Sequence, residues 1–147
     1  MGRAVSRDGQ IALTKSCRDV VAVMEQDSVD PRITRRITYL DGLAADDPDE
    51  PAVNLESLQK FAAFVVTRRH LPYPLIGLTP DGFIEAVWDT SDGDMLTMDF
   101  LPVGDVRFVV LLATSESEPR QRSLGGLLSP DDMMSAIRPF VDKLIRA

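Results

Sequence analysis

The stretch PLIGLTPDGFIEAVW, residues 74–88, marks the point where the sequence pattern changes from helical to strand-like. Two short apolar runs flank the tetrapeptide TPDG, in which Pro80 presets the first turn dihedral and Gly82 can adopt a positive φ. After this turn, apolar residues alternate with other residues, as in a strand with one buried face. The buried set is Ile84, Ala86 and Trp88. The stretch therefore predicts a β-hairpin and decides that the fold contains an antiparallel sheet.

Strand-like segments continue downstream of this hairpin. MLTMDFL, residues 95–101, alternates between apolar and polar side chains, and VRFVVLLAT, residues 106–114, is apolar on both faces, which indicates a central strand. The turns SDGD and PVGD separate them, and a fifth strand is expected near Gln121–Leu124. We expect these residues on the buried face: Leu96, Met98, Phe100, Val106, Phe108, Val110 and Leu112. The result is a meander of four to five antiparallel strands.

Two amphipathic helices are expected to cover the apolar face of this sheet. One spans residues 54–69 and is capped by Asn54; the other spans residues 130–145 and is capped by Ser129. Pro139 should kink or break the second helix. Its apolar stripe consists of Met133, Ile137, Phe140, Val141 and Leu144. Helices that cover one face of an antiparallel sheet make the predicted fold class α+β.

The first part of the chain is less strongly patterned. Asp30 and Pro31 predict the start of a helix that Gly42 would end, and Ser16 can cap a helix before it. Residues 10–14 read as an edge strand or as part of a flexible arm. We therefore expect residues 1–30 to form an N-terminal arm or helix and residues 31–147 to form a single α+β domain.

Composition narrows the class of protein. The chain has 147 residues, a net charge of -7 and one cysteine, so it is sized for one domain and cannot form an internal disulfide. The acidic balance disfavours non-specific binding to nucleic acid, which is itself a polyanion. No apolar run suits a signal peptide or a membrane helix. The expected location is the cytoplasm.

Motifs for common chemistry are absent. The sequence contains neither of the glycine-rich phosphate-binding patterns and no CxxC or HExxH pattern, so we expect no cofactor and no zinc. The single Cys17 is expected to pack in a helix, and the single His70 to follow a helix end. Glu85 and Asp99 could share one sheet face as a carboxylate pair, which is the basis for one alternative, a metal-dependent hydrolase or nuclease.

Two features could recognise a partner protein. Trp88 is expected to pack beneath a helix, but tryptophan is also enriched in interaction hot spots. QRSLGGLL, residues 121–128, places Gln121, Leu124 and Leu127 at the Q-x-x-L-x-x-L spacing. This spacing resembles that of peptides that bind bacterial sliding clamps, although the usual terminal aromatic residue is missing. The resemblance supports a second alternative, an inhibitor of the DNA sliding clamp.

Residues 38–112 resemble a group of small bacterial proteins that has no established activity. The shared pattern is P-x-I-x-x-T-P-D-G-x-I-x-x-x-W, carried here by Pro74, Ile76, Thr79, Pro80, Asp81, Gly82, Ile84 and Trp88. The chain departs from this group at LAADD, where Trp-Asp-Gly is common. Some members of the group occur in two-gene modules of the toxin–antitoxin kind. The resemblance therefore implies a protein partner and carries over no catalytic residue.

The preferred hypothesis is a non-enzymatic interaction protein, one partner of a bacterial toxin–antitoxin-like module. Its acidic charge favours a basic partner protein, and a homo-oligomer built through a sheet edge is compatible with it.

Overall fold

The computed structural model describes residues 7–90, 92–113 and 122–146, and all structural statements concern these ranges. They contain six helices and five strands. In chain order these are α1 (Arg7–Ala12), α2 (Cys17–Gln26), α3 (Pro31–Asp46), α4 (Leu55–Thr67), β1 (Leu75–Leu78), β2 (Ile84–Asp89), β3 (Met95–Phe100), β4 (Val106–Leu112), β5 (Arg122–Leu128), α5 (Pro130–Ala136) and α6 (Arg138–Arg146). The predicted α+β class is confirmed.

The five strands form one antiparallel sheet in the order β1-β2-β3-β4-β5. Each strand pairs with its neighbour in the chain, so the sheet is the expected meander. The register places Ala86 opposite Ile76 on one side and opposite Met98 on the other. The fifth strand exists and reaches Leu128, beyond its predicted end. Gln121, at its predicted start, lies outside the described residues.

One face of the sheet forms the main core with α4. Apart from Leu112, every sheet residue predicted for this face is buried. Phe61 and Phe64 of α4 meet Phe100 of β3 edge-on, with ring centroids 5.2 and 5.4 Å apart, a favourable aromatic geometry. Leu112 is the last residue of β4 and remains 38% exposed.

The C-terminal helix is broken as Pro139 predicts. The helical conformation is lost at Ile137, whose backbone lies between α5 and α6, because proline cannot donate the hydrogen bond that would continue the helix. The predicted stripe is buried at Met133, Ile137, Phe140 and Val141, and the side chain of Leu144 lies outside the described part of the chain. α5 contacts β4 and β5, so it covers the sheet beside α4.

The edge strand predicted at residues 10–14 is wrong, because this segment belongs to helix α1 and the turn that follows it. Ile11 is buried in the core, and α1 packs against α4. Gln59 of α4 also donates a hydrogen bond to the Thr14 hydroxyl at 3.0 Å. Helix formation places Ile11, the apolar side chain of this segment, in the core where α1 packs against α4.

The prediction that Gly42 ends α3 is also wrong. α3 continues to Asp46, and a side chain at Gly42 would meet no atom within 4 Å. A glycine inside a helix costs about 1 kcal/mol relative to alanine. Packing of Leu43 against the core, one residue later, favours continuing the helix. α3 ends just before Pro48, since a residue that precedes proline is disfavoured in the helical conformation.

Ser28 is the residue after the C-cap of α2, and it has a positive φ of 58°. Its N–H donates to the carbonyl of Glu25, and the N–H of Val29 donates to the carbonyl of Met24, which is the Schellman arrangement that usually contains glycine. Ser28→Gly should therefore raise the free energy of unfolding by about 0.5–1 kcal/mol in urea denaturation, since glycine lacks the left-handed penalty. Ser135→Gly, at an exposed helical position, should lower it by about 0.5 kcal/mol. A lower free energy of unfolding in both variants would contradict the expected stabilisation by glycine at position 28.

Candidate interaction surface

The second face of the sheet, which we call the open face, carries the side chains that alternate with the core set. In β2, buried residues alternate with partly buried ones, and in β4 buried residues alternate with exposed ones as far as Val110. Three large apolar residues of this face are well exposed: Leu75 at 65%, Val109 at 40% and Leu127 at 54%. They lie on β1, β4 and β5, so both edge strands of the sheet carry an exposed apolar side chain on this face. A surface of this kind is typical of a protein interaction site.

A row of charged residues crosses the open face. The register places Glu85 of β2 opposite Asp99 of β3, and Asp99 opposite Arg107 of β4. The Arg107 guanidinium donates two hydrogen bonds to Asp99 Oδ2, at 2.8 and 3.1 Å. On the other side of Glu85, β1 contributes Gly77, which has no side chain. The predicted carboxylate pair is therefore present, with a guanidinium added on one side only.

The second oxygen of Asp99 is buried without a donor. Asp99 is 9% exposed, and its Oδ1 atom has no hydrogen-bond partner within the described residues. A buried polar atom without a partner costs about 1–3 kcal/mol. Two ionised carboxylates cannot satisfy each other, because both groups only accept hydrogen bonds. Because this oxygen is closed to solvent, a proton on Glu85 can satisfy it directly, whereas a donor from outside can reach it only when a neighbouring side chain moves.

The pairing changes the acidity of Glu85. The hydrogen bond with Asp99, the partial burial of the Glu85 carboxyl and the negative charge of Asp99 raise the pKa of Glu85 to about 7, and Arg107 offsets only part of this effect. Near neutral pH, Glu85 is thus protonated in a large fraction of molecules. A protonated Glu85 carboxyl is a donor for Asp99.

The donor set does not resemble a divalent metal site. Within the described ranges, no group of three or more His, Cys, Asp or Glu side chains could hold a metal ion. Glu85 and Asp99 provide carboxylate oxygens, but the Arg107 guanidinium already occupies one of them, Asp99 Oδ2. Hard divalent cations prefer six or more oxygen ligands. The arrangement therefore suits a hydrogen-bonding organic cation better than a metal.

Trp88 packs beneath α4, on the core side of the sheet. It is 3% exposed, its ring lies 6.2 Å from that of Phe64, and its Nε1–H donates to the Pro72 carbonyl at 2.8 Å. Trp88 also contributes to the wall of a cavity of about 350 Å³, beside Ile33 and Tyr73. The expected packing of Trp88 beneath a helix is therefore observed, and 3% of its surface remains exposed.

The two leucines of the Q-x-x-L-x-x-L peptide lie on opposite faces of β5. Leu124 pairs with Val110 of the core face, whereas Leu127 pairs with Arg107 of the open face. They are almost equally exposed, at 53% and 54%. Alternate strand residues point to opposite sides, so β5 would have to leave the sheet to present both leucines to one groove.

The other residues singled out in the sequence form no reactive cluster. Burial raises the pKa of the Cys17 thiol to about 11, with further contributions from the charge of Asp41 and a hydrogen bond to it. The thiol therefore stays neutral, which is the opposite of what a nucleophile requires. His70 is exposed in the loop after α4. The neighbouring arginines are neutralised in ion pairs: Arg68 with Asp131 and Arg69 with Asp27.

Comparisons of the chain with protein-family models, with curated proteins and with solved structures found no match. Within the described ranges, none of the helices combines the length and the apolar character needed to cross a membrane.

Proposed function

We propose that this chain is a non-enzymatic interaction protein that binds a basic partner protein through the open face of its sheet. The observation that carries the proposal is the exposure of Leu75, Val109 and Leu127 around a central acidic pair. Fully burying one such side chain is worth about 1.5–3 kcal/mol before the cost of association. The apolar side chains would supply affinity, and the acidic row would select the partner.

Charge complementarity supports a basic partner. The chain carries a net charge of -7, and the row on the open face has two carboxylates, Glu85 and Asp99, against the single guanidinium of Arg107. Complementary charge speeds encounter and excludes acidic partners. By the resemblance of residues 38–112, the partner would be the product of an adjacent gene in a toxin–antitoxin-like module.

The structure offers a matched pair of variants for the test. Leu127 and Leu124 lie on the same strand with almost the same exposure and on opposite faces. Leu127→Lys places a cation on the open face and should weaken binding of the co-expressed adjacent gene product by about ten-fold or more. Leu124→Lys should leave the dissociation constant within about two-fold, since isolated surface changes have small effects.

Affinity would be measured by calorimetry with the purified partner. Equal losses for both variants would indicate binding through the β5 edge or through the Q-x-x-L-x-x-L peptide, and a loss for Leu124→Lys alone would reject the open face. If the chain is recovered bound only to further copies of itself, the open face would serve a homo-oligomer and not a partner protein. Absence of any complex with the adjacent gene product would overturn the proposal.

A further inference from the structure

The region around Glu85 on the open face is shaped to accept a ligand group. Gly77 lies opposite Glu85 on β1, and a methyl group added there would meet no atom within 4 Å. Space is therefore free on the side of Glu85 that faces away from Asp99 and Arg107. Leu75 and Val87, paired in the next row of the sheet, provide apolar surface beside this space. A long basic side chain needs this combination, because its stem is apolar and its head is charged.

The acceptors at this place are incompletely neutralised. With both carboxylates ionised, Glu85 and Asp99 carry two negative charges and Arg107 carries one positive charge. Among the described residues, Arg107 donates to Asp99 Oδ2, and Asp99 Oδ1 has no partner when both carboxylates are ionised. One further cation would balance the charge. A planar guanidinium can donate to two oxygens at once, which an ammonium ion does less specifically.

We infer that Glu85 and Asp99 form a guanidinium site on the open face, which takes one arginine side chain of the partner protein in exchange for the proton that the two carboxylates share. The inference rests on the proposed function and names the group that the partner inserts. In the free protein the proton on Glu85 satisfies Asp99 Oδ1. On binding, a neighbouring side chain moves and opens Asp99 Oδ1, the arginine N–H groups donate to both carboxylates, and the proton passes to solvent.

The exchange makes binding depend on pH. The charged groups that face Glu85 are Asp99 from β3 and Arg107 from β4, while β1 places the uncharged Gly77 against it. Glu85 must lose its proton to receive the guanidinium, so affinity should rise with pH through neutrality. Since the pKa of Glu85 is about 7, binding at pH 8 should be about ten-fold tighter than at pH 6.

The first experiment uses the folded chain and N-acetyl-arginine amide as the probe. Carbon-13 NMR of the Glu85 carboxyl should give a midpoint near pH 7 for the free protein, and the probe should lower this midpoint. The isosteric but neutral N-acetyl-citrulline amide should leave it unchanged. Glu85→Gln should abolish the pH dependence of probe binding, and Gly77→Val should weaken probe binding by filling the free space without changing any charge. A Glu85 midpoint near the ordinary glutamate pKa, about 4.3, with no effect of the probe, would overturn the inference.

A second measurement separates the inference from the proposed function. With the purified partner, Glu85→Gln should weaken binding by about ten-fold and remove its rise between pH 6 and pH 8. If Leu127→Lys abolishes partner binding while Glu85→Gln leaves its affinity and pH profile unchanged, the proposed function stands and the guanidinium site is rejected. If arginine amide binds as expected but no partner engages the open face, the proposed function fails and the site remains as one for a small guanidinium ligand.

Discussion

Replacement of Gly82 by alanine should lower the free energy of unfolding by about 3 kcal/mol or more, the largest effect expected for any single methyl group added to this chain. Gly82 has a φ of +83° in the turn between β1 and β2. A side chain there would also overlap the carbonyl oxygen of Ala52. The overlapping atom belongs to the backbone, so it cannot rotate away as a flexible side chain could.

Hydrogen bonds hold the two segments at this close distance. The Gly82 carbonyl accepts from the N–H of Asn54 at 2.9 Å, and the Gly82 N–H donates to the Thr79 carbonyl at 2.9 Å. Asn54 in turn caps α4. Displacing Gly82 would therefore disturb both the β1–β2 turn and the start of the helix that covers the sheet.

Gly104 provides the control for this variant. It has a similar φ of +79° in the turn between β3 and β4, but a methyl group there would meet no atom within 4 Å. Gly104→Ala should cost about 1 kcal/mol, the backbone penalty alone. Both values would come from the urea midpoint at unchanged m-value. Equal losses for the two variants would show that contact with Ala52 contributes nothing to the requirement for glycine.

Removal of the Ser57 hydroxyl should cost about 2–4 kcal/mol. Ser57 lies on α4, is 0% exposed, and its hydroxyl joins the helix to two strands. The Oγ atom donates to the Phe100 carbonyl and accepts from the Ile84 N–H at 2.8 Å. Ser57→Ala would leave a buried carbonyl and a buried N–H without the partner that the hydroxyl provides.

Ser135→Ala serves as the matched variant, because Ser135 lies on α5 and is exposed. Its change in unfolding free energy should stay within about 0.5 kcal/mol. Hydrogen exchange adds a local readout, since the Ile84 amide should lose protection in Ser57→Ala before other amides of β2. A loss below about 1 kcal/mol with intact protection at Ile84 would mean that the hydroxyl is dispensable.

Helix caps and strand alternation could be predicted because each depends on a few neighbouring residues. Ser16, Asp30, Asn54 and Ser129 were expected from residue type, and all four side chains accept a backbone N–H in the first turn of their helix. The spacing of apolar residues likewise predicted the core face of β2 and β3 before any contact was known. The same alternation placed Glu85 and Asp99 on one face.

Long-range contacts could not be predicted from such local patterns. Ser57 looks like an ordinary small helical residue, yet its hydroxyl pairs with Phe100, 43 positions away. The segment at residues 10–14 looked strand-like, but burial of Ile11 against α4 made it helical. Gly42 looked like a helix end, but the packing of Leu43 carried α3 past it. At residues 10–14 and at Gly42, tertiary burial outweighed a local preference of about 1 kcal/mol.

The sequence by itself determined the antiparallel meander and the caps of α2, α3, α4 and α5, since these follow from spacing and residue type within short segments. Only the tertiary structure decided that Arg107 binds one side of the Glu85–Asp99 pair and that Gly77 leaves space on the other. These properties depend on which distant residues are brought together and on how much water they exclude. A carboxylate buried beside another carboxylate acquires its unusual acidity only in that environment.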